Sequence, residues 1–81
     1  MNFKISIHVF LKPGVHDPEA SSIHSALKTL AYTGIEKVVK GKYFEVSLSA
    51  ESKEVALGLA KKMTESLLAN TVIENYKIEV E

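Results

Sequence analysis

Residues 3–11, FKISIHVFL, alternate almost without fault: Phe3, Ile5, Ile7, Val9 and Leu11 take one parity, and Lys4, Ser6, His8 and Phe10 the other. Period two over such a length predicts a strand with one buried face. Pro13 and Gly14 then end it. The next signal is a helix start, Asp17-Pro18-Glu19. Asp17 suits the N-cap, Pro18 the first helical position and Glu19 the positive end of the helix dipole. Ile23, Ala26, Leu27 and Leu30 follow at i, i+3, i+4 and i+7, one apolar stripe. The expected helix runs over 18–32, with Gly34 as a left-handed cap.

A second extended region covers 35–49. Phe44, Val46 and Leu48 oppose Tyr43, Glu45, Ser47 and Ser49, whereas the adjacent Val38 and Val39 break the alternation. This predicts a bulge or tight bend at Lys40-Gly41-Lys42, and either one long bent strand or two short ones. A second helix is expected over 52–69. Its stripe would be Ala56, Leu59, Ala60, Met63 and Leu67, with Ser49 or Ser52 as N-cap and Asn70 ending it in the left-handed region. Tyr76, Ile78 and Val80 alternate in a last strand over 76–80.

This order predicts an α+β fold spanning 1–81 as a single domain. Its layers would be an antiparallel sheet and two helices on one face. If the middle region splits, the order is βαββαβ, the ferredoxin-like pattern. The other face would show Lys4, Ser6, His8, Phe10, Tyr43, Glu45, Lys77 and Glu79. A mixed, uncovered face on a small sheet is a candidate for subunit packing.

Composition narrows the function classes. Ten basic and ten acidic side chains cancel, whereas nucleic-acid binders usually carry a basic excess. KGKYF matches the RNA-binding strand motif at Lys40, Gly41 and Phe44 but fails at Lys42, Tyr43, Glu45 and Ser47, so no nucleic acid is expected. There is no cysteine, hence no disulfide or thiolate metal site. His8, His16 and His24 fall on a strand, a loop and a helix, without metal-ligand spacing. No apolar run approaches the ~20 residues of a membrane span, and the first residues lack the pattern of a signal peptide. A cytoplasmic, membrane-free protein is expected. No nucleophile motif or phosphate loop is present, so no catalytic, metal or cofactor-binding residues are expected. Lys12-Pro13-Gly14 before a helix N-terminus leaves room for a weak anion site, although Asp17 would occupy that end.

Several stretches together resemble the PurS family. They are VHDPE opening the first helix, Gly41-Lys42-Tyr43 in the middle strand, and Leu67-Leu68-Ala69-Asn70 through Ile73-Glu74 to Tyr76. Thr71 stands where members often have proline, and Glu19-Ala20 where they often have Gln-Gly. The resemblance implies the small subunit of phosphoribosylformylglycinamidine synthase, in purine biosynthesis. Such a subunit is non-catalytic, forms a dimer or tetramer, and joins a PurL-type synthetase to a PurQ-type glutaminase. It binds no cofactor itself, while the complex uses ATP, magnesium and glutamine. The expected contact surface is the open sheet face with Phe10, Tyr43 and Tyr76 as aromatic anchors, together with Lys40 and Lys42. Tyr76 shares parity with Ile78 and Val80, so a core position is equally consistent. The competing class is an ACT-like module binding a small effector near Val9–Asp17.

Overall fold

The computed structural model describes residues 1–81. The elements are β1 (Asn2–Leu11), α1 (Pro18–Thr29), β2 (Gly41–Ser49), α2 (Lys53–Met63) and β3 (Glu74–Val80), with a π-helical turn, Thr64–Leu68, continuing α2. The fold is α+β, and the three strands form one antiparallel sheet in the order β2-β1-β3. The middle region is therefore one strand rather than two. Its first part, residues 35–40, is irregular, and Lys40-Gly41-Lys42 marks where pairing begins, not a bulge within a strand.

The register explains the core. Ile5 lies opposite Val46 and Val80, and Ile7 opposite Phe44 and Ile78, so all point to one face. Because β1 is central, Ile5, Ile7 and Val9 lose their solvent exposure almost completely. α2 crosses this face over β1 and β3.

α2 uses a different stripe from the expected one. Ala56, Ala60 and Thr64, spaced by one turn, face the sheet and are buried, whereas Leu59 is 42% and Leu67 83% exposed. Small side chains let the helix approach closely. The Thr64 hydroxyl donates to the Ala60 carbonyl at 2.8 Å, which removes the cost of burying it. The π turn then shifts the helical phase, bringing Leu68 rather than Leu67 against the core. Ser52 caps α2 by accepting from the Val55 amide. Asn70 acts through its side chain, accepting from the Val72 amide at 3.1 Å, and does not adopt the left-handed conformation.

The expectation of two helices on one face holds for α2 and not for α1. Ala20 is the one buried residue of α1, and Ile23 and Leu30 remain exposed. α1 and the returning segment 30–40 form an arm beyond one end of the sheet. The molecule measures 51 × 24 × 15 Å with a Cα radius of gyration of 16.3 Å, against about 12 Å for a compact chain of this length. The helix also ends earlier than expected. Ala31 takes the left-handed conformation at φ 69°, with amide bonds from Ala31 to the Lys28 carbonyl and from Tyr32 to the Leu27 carbonyl. Those two bonds close the helix in a Schellman motif, with alanine where glycine is usual. Gly34 has a positive φ as well, but it turns the chain after the helix has closed.

Candidate functional site: the open sheet face and the arm junction

The even-numbered residues of β1 and the odd-numbered residues of β2 and β3 form the face opposite α2. On its β2 side stands Tyr43, 54% exposed. Its hydroxyl lies 3.0 Å from Ser6 Oγ and donates to Glu45 at 3.3 Å. The His8 ring meets the Tyr43 ring edge-on, 4.8 Å between centroids. Glu45 also accepts Lys4 at 3.3 Å, and Lys77 pairs with Glu79 along β3. The Glu45 carboxylate, by hydrogen bond and by charge, raises the Lys4 pKa above its ordinary value. This face is a pre-ordered polar lattice around one aromatic ring. Such a surface gives register and specificity to a protein contact more than bulk affinity.

Phe10 marks the end of the same face. Its neighbours in register are Gly41, which has no side chain, and Asn75. The ring is 39% exposed and borders a cleft of about 500 Å³ between the sheet end, α1 and segment 36–40. Phe10 and Tyr43 share this face, as their parity predicts. Tyr76, by contrast, packs against the core on the α2 side, so it is no anchor of the open face. Its hydroxyl donates to Glu65 at 2.6 Å and pins the π turn to β3. That hydrogen bond, with burial and the carboxylate charge, raises the Tyr76 pKa.

Lys40 and Lys42 sit at the arm junction, and each has acidic partners. Lys40 Nζ lies 2.9 Å from Glu19 and 3.6 Å from Asp17, and Lys42 lies 3.6 Å from Glu74. These pairs tie the first turn of α1 to the start of β2, and β2 to the start of β3 across the end of β1. The histidines do not converge, and no group of three or more acidic or histidine side chains is arranged to hold a metal. His24 Nε2 lies 3.0 Å from the Ile35 carbonyl, which joins the two limbs of the arm.

Asp17 caps α1 as expected, accepting from the Glu19 amide at 2.9 Å and the Ala20 amide at 3.2 Å. These bonds occupy the amides that the anion-site reading would have used. Desolvation pushes the Asp17 pKa up, but the Ala20 and Glu19 amides and Lys40 outweigh it, and the net shift is downward from 3.8. A depressed carboxylate pKa contributes stability above its unfolded value, which is lost as pH falls through the folded value. The protection of the α1 amides, their exchange taken relative to the unstructured rate at the same pH, is therefore expected to fall on acidification below about pH 4, before that of the sheet amides. In Asp17→Ala the protection of α1 should be lower at neutral pH and nearly insensitive to that acid step. An equal acid response in both proteins would remove Asp17 from this role.

These features define a class: a small α+β protein with a polar, partly aromatic open sheet face and a projecting helical arm. The comparisons make the class specific. Residues 4–81 match the family model described as PurS, phosphoribosylformylglycinamidine (FGAM) synthase. The phosphoribosylformylglycinamidine synthase subunit PurS of Bacillus subtilis is 40% identical over 79 residues, covering 98% of this chain and 93% of that protein. A Bacillus subtilis PurS crystal structure superposes with a TM-score of 0.87 at 40% identity, covering 98% of both chains. A chain of the PurLQS structure from Thermotoga maritima superposes with a TM-score of 0.92 at 32% identity, covering 100% of this chain and 99% of that one. The chain belongs to the PurS family, the small subunit of FGAM synthase. No helix is long and apolar enough to cross a membrane.

Proposed function

We propose that this chain, acting as one PurS-like domain in the cytoplasm, dimerises and joins a PurL-type synthetase to a PurQ-type glutaminase. The observation that carries this reading is the full-length likeness to a chain of the Thermotoga maritima PurLQS structure. The chain contributes no catalytic group and binds no cofactor. ATP, magnesium and glutamine are used by the larger subunits. Its contribution is positional. Ammonia released at one active site must reach another before it is protonated or lost to bulk water. Fixing the two subunits makes that transfer effectively intramolecular.

The contact surface in this reading is the open face around Phe10 and Tyr43, with Lys40 and Lys42 at its end. Phe10→Glu and Tyr43→Glu are each expected to weaken assembly at least tenfold, by desolvating a charge in the contact. The circular dichroism of the isolated chain should stay unchanged, because both rings are exposed. Unaltered affinity in both variants would exclude this face.

The role itself is tested by comparing two nitrogen sources. Glutamine-dependent formylglycinamidine ribonucleotide formation by the synthetase and glutaminase should require this chain. Synthesis supported by a high concentration of ammonium should proceed without it. Equal dependence on the chain in both assays would argue for a direct part in the synthetase chemistry instead.

The cleft of about 500 Å³ lies at the Val9–Asp17 junction where the ACT-like reading places an effector. Some of its lining groups are already engaged: Lys40 with Asp17 and Glu19, and His24 with the Ile35 carbonyl. A thermal-shift screen with amino acids and nucleotides separates the readings. A large shift by one compound, without partner proteins, favours the effector module.

A further inference from the structure

The passage from α2 into β3 combines a locked backbone with exposed apolar side chains. Leu67 is 83% and Val72 80% exposed, the two most exposed large apolar residues of the molecule. A single exposed apolar residue is ordinary. Here, however, the chain that carries them is held on every side. The Ala69 amide donates to the Thr64 carbonyl at 2.9 Å, and the Ile73 and Glu74 amides both donate to the Asn70 carbonyl, at 3.1 and 2.7 Å. The Asn70 side chain accepts from the Val72 amide at 3.1 Å, and the Glu74 carboxylate accepts from the Asn70 amide at 2.7 Å. Fraying therefore does not account for the exposure. Core packing does not account for it either. The core receives one leucine in either helical phase, Leu67 from a continued α-helix or Leu68 as observed. What the π turn decides is where the other leucine points, and such turns recur at functional sites.

We infer that Leu67 and Val72 form a docking knob for one of the two larger subunits, the one that does not occupy the open face. The inference rests on the bridging role in the proposed function and divides that role between two surfaces. A bridge needs two surfaces that can be filled at once. Tyr43 stands on β2, on the open side of the sheet. The π turn lies on the other side, and the chain after it enters β3, the opposite edge. Their chemistry differs as well, a polar lattice against two apolar prongs. The acids around the knob are engaged internally, Glu65 by Tyr76, and Glu74 by Lys42 and the Asn70 amide. The complementary surface is therefore an apolar groove rather than a basic one. Because the turn is already ordered, docking loses little conformational freedom. A second copy fits poorly. A two-fold axis would set a convex knob against itself, and seating it elsewhere on a copy makes a head-to-tail contact, which closes only at particular rotations.

The absence of cysteine allows a benzophenone maleimide to be attached at a single chosen position. Leu67→Cys, Val72→Cys and Tyr43→Cys are labelled separately, assembled with synthetase, glutaminase, ADP, magnesium and glutamine, and irradiated. The expected adducts, identified by mass, join positions 67 and 72 to one subunit and position 43 to the other. Adducts of 67 and 72 with the subunit found at 43, with another copy of this chain, or with nothing would overturn the division. A second variant does not depend on the label. Leu67→Ser combined with Val72→Ser should lower the affinity for that subunit roughly tenfold or more, with the urea midpoint of the isolated chain unchanged. Unaltered affinity would also overturn the knob. Joint elution of the wild-type chain with both subunits tests the bridging role separately. Wild-type assembly without adducts at 67 and 72 removes the knob alone, whereas failure of wild-type assembly removes the bridging role and the knob together.

Discussion

Ile7→Ala is expected to lower the unfolding free energy by about 2–5 kcal/mol, the range for truncating a buried isoleucine. Ile7 sits on the central strand with no exposed surface, between Phe44 on β2 and Ile78 on β3. The residues above it, Ala56 and Ala60, are too short to move into the space. A domain of this length holds on the order of 4–12 kcal/mol in total, so the variant should be close to unfolding at physiological temperature. Urea denaturation at fixed protein concentration measures this, since self-association makes apparent stability concentration-dependent. A loss below about 1 kcal/mol, outside the range for a buried isoleucine, would mean that the core is centred elsewhere.

Gly41→Ala is expected to have the second-largest effect, and its cause is contact rather than backbone conformation. A Cβ at this position would overlap the Val9 carbonyl oxygen and lie 3.5 Å from the Phe10 Cβ. The oxygen belongs to the central strand and cannot rotate away as a side chain would. Relief requires β2 to shift at its first residue, the one paired with Phe10. Overpacking of this kind costs about 1–3 kcal/mol. The shift should also displace Phe10 and Lys42, so assembly should weaken beyond the loss of stability. Faster exchange of the amides around Phe10 and Lys42, with those of β3 unaffected, is the expected signature. Unchanged exchange at that end would contradict the close approach.

Much of this was legible in the residues. Period two in 3–11 and 43–49 gave the faces of β1 and β2, because a side chain on a strand has only two directions to point. Asp17-Pro18 and Ser52 marked the helix starts, because a cap is a local hydrogen bond. What was not legible depends on distant parts of the chain. The stripe on α1 shows which positions avoid water but not what covers them, so its place off the sheet could not be read. The α2 stripe was misread towards its bulky residues, since close approach selects Ala56, Ala60 and Thr64, and the π turn exchanges Leu67 for Leu68. Gly34 drew the cap away from Ala31, where the Schellman bonds outweigh the cost of a left-handed alanine. Of the residues proposed for the contact, Phe10 and Tyr43 were placed on one face by parity. The partners of Lys40 and Lys42 are not neighbours in sequence, and only the fold brings Asp17, Glu19 and Glu74 to them.

The central claim is that this chain holds the synthetase and glutaminase subunits together. Its most direct test is size-exclusion chromatography with light scattering on this chain mixed with both subunits, in the presence of ADP, magnesium and glutamine. The account predicts joint elution of all three, lost when this chain is omitted. Joint elution of the two large subunits without it, or its elution alone as a small oligomer under every ligand condition, would contradict the account.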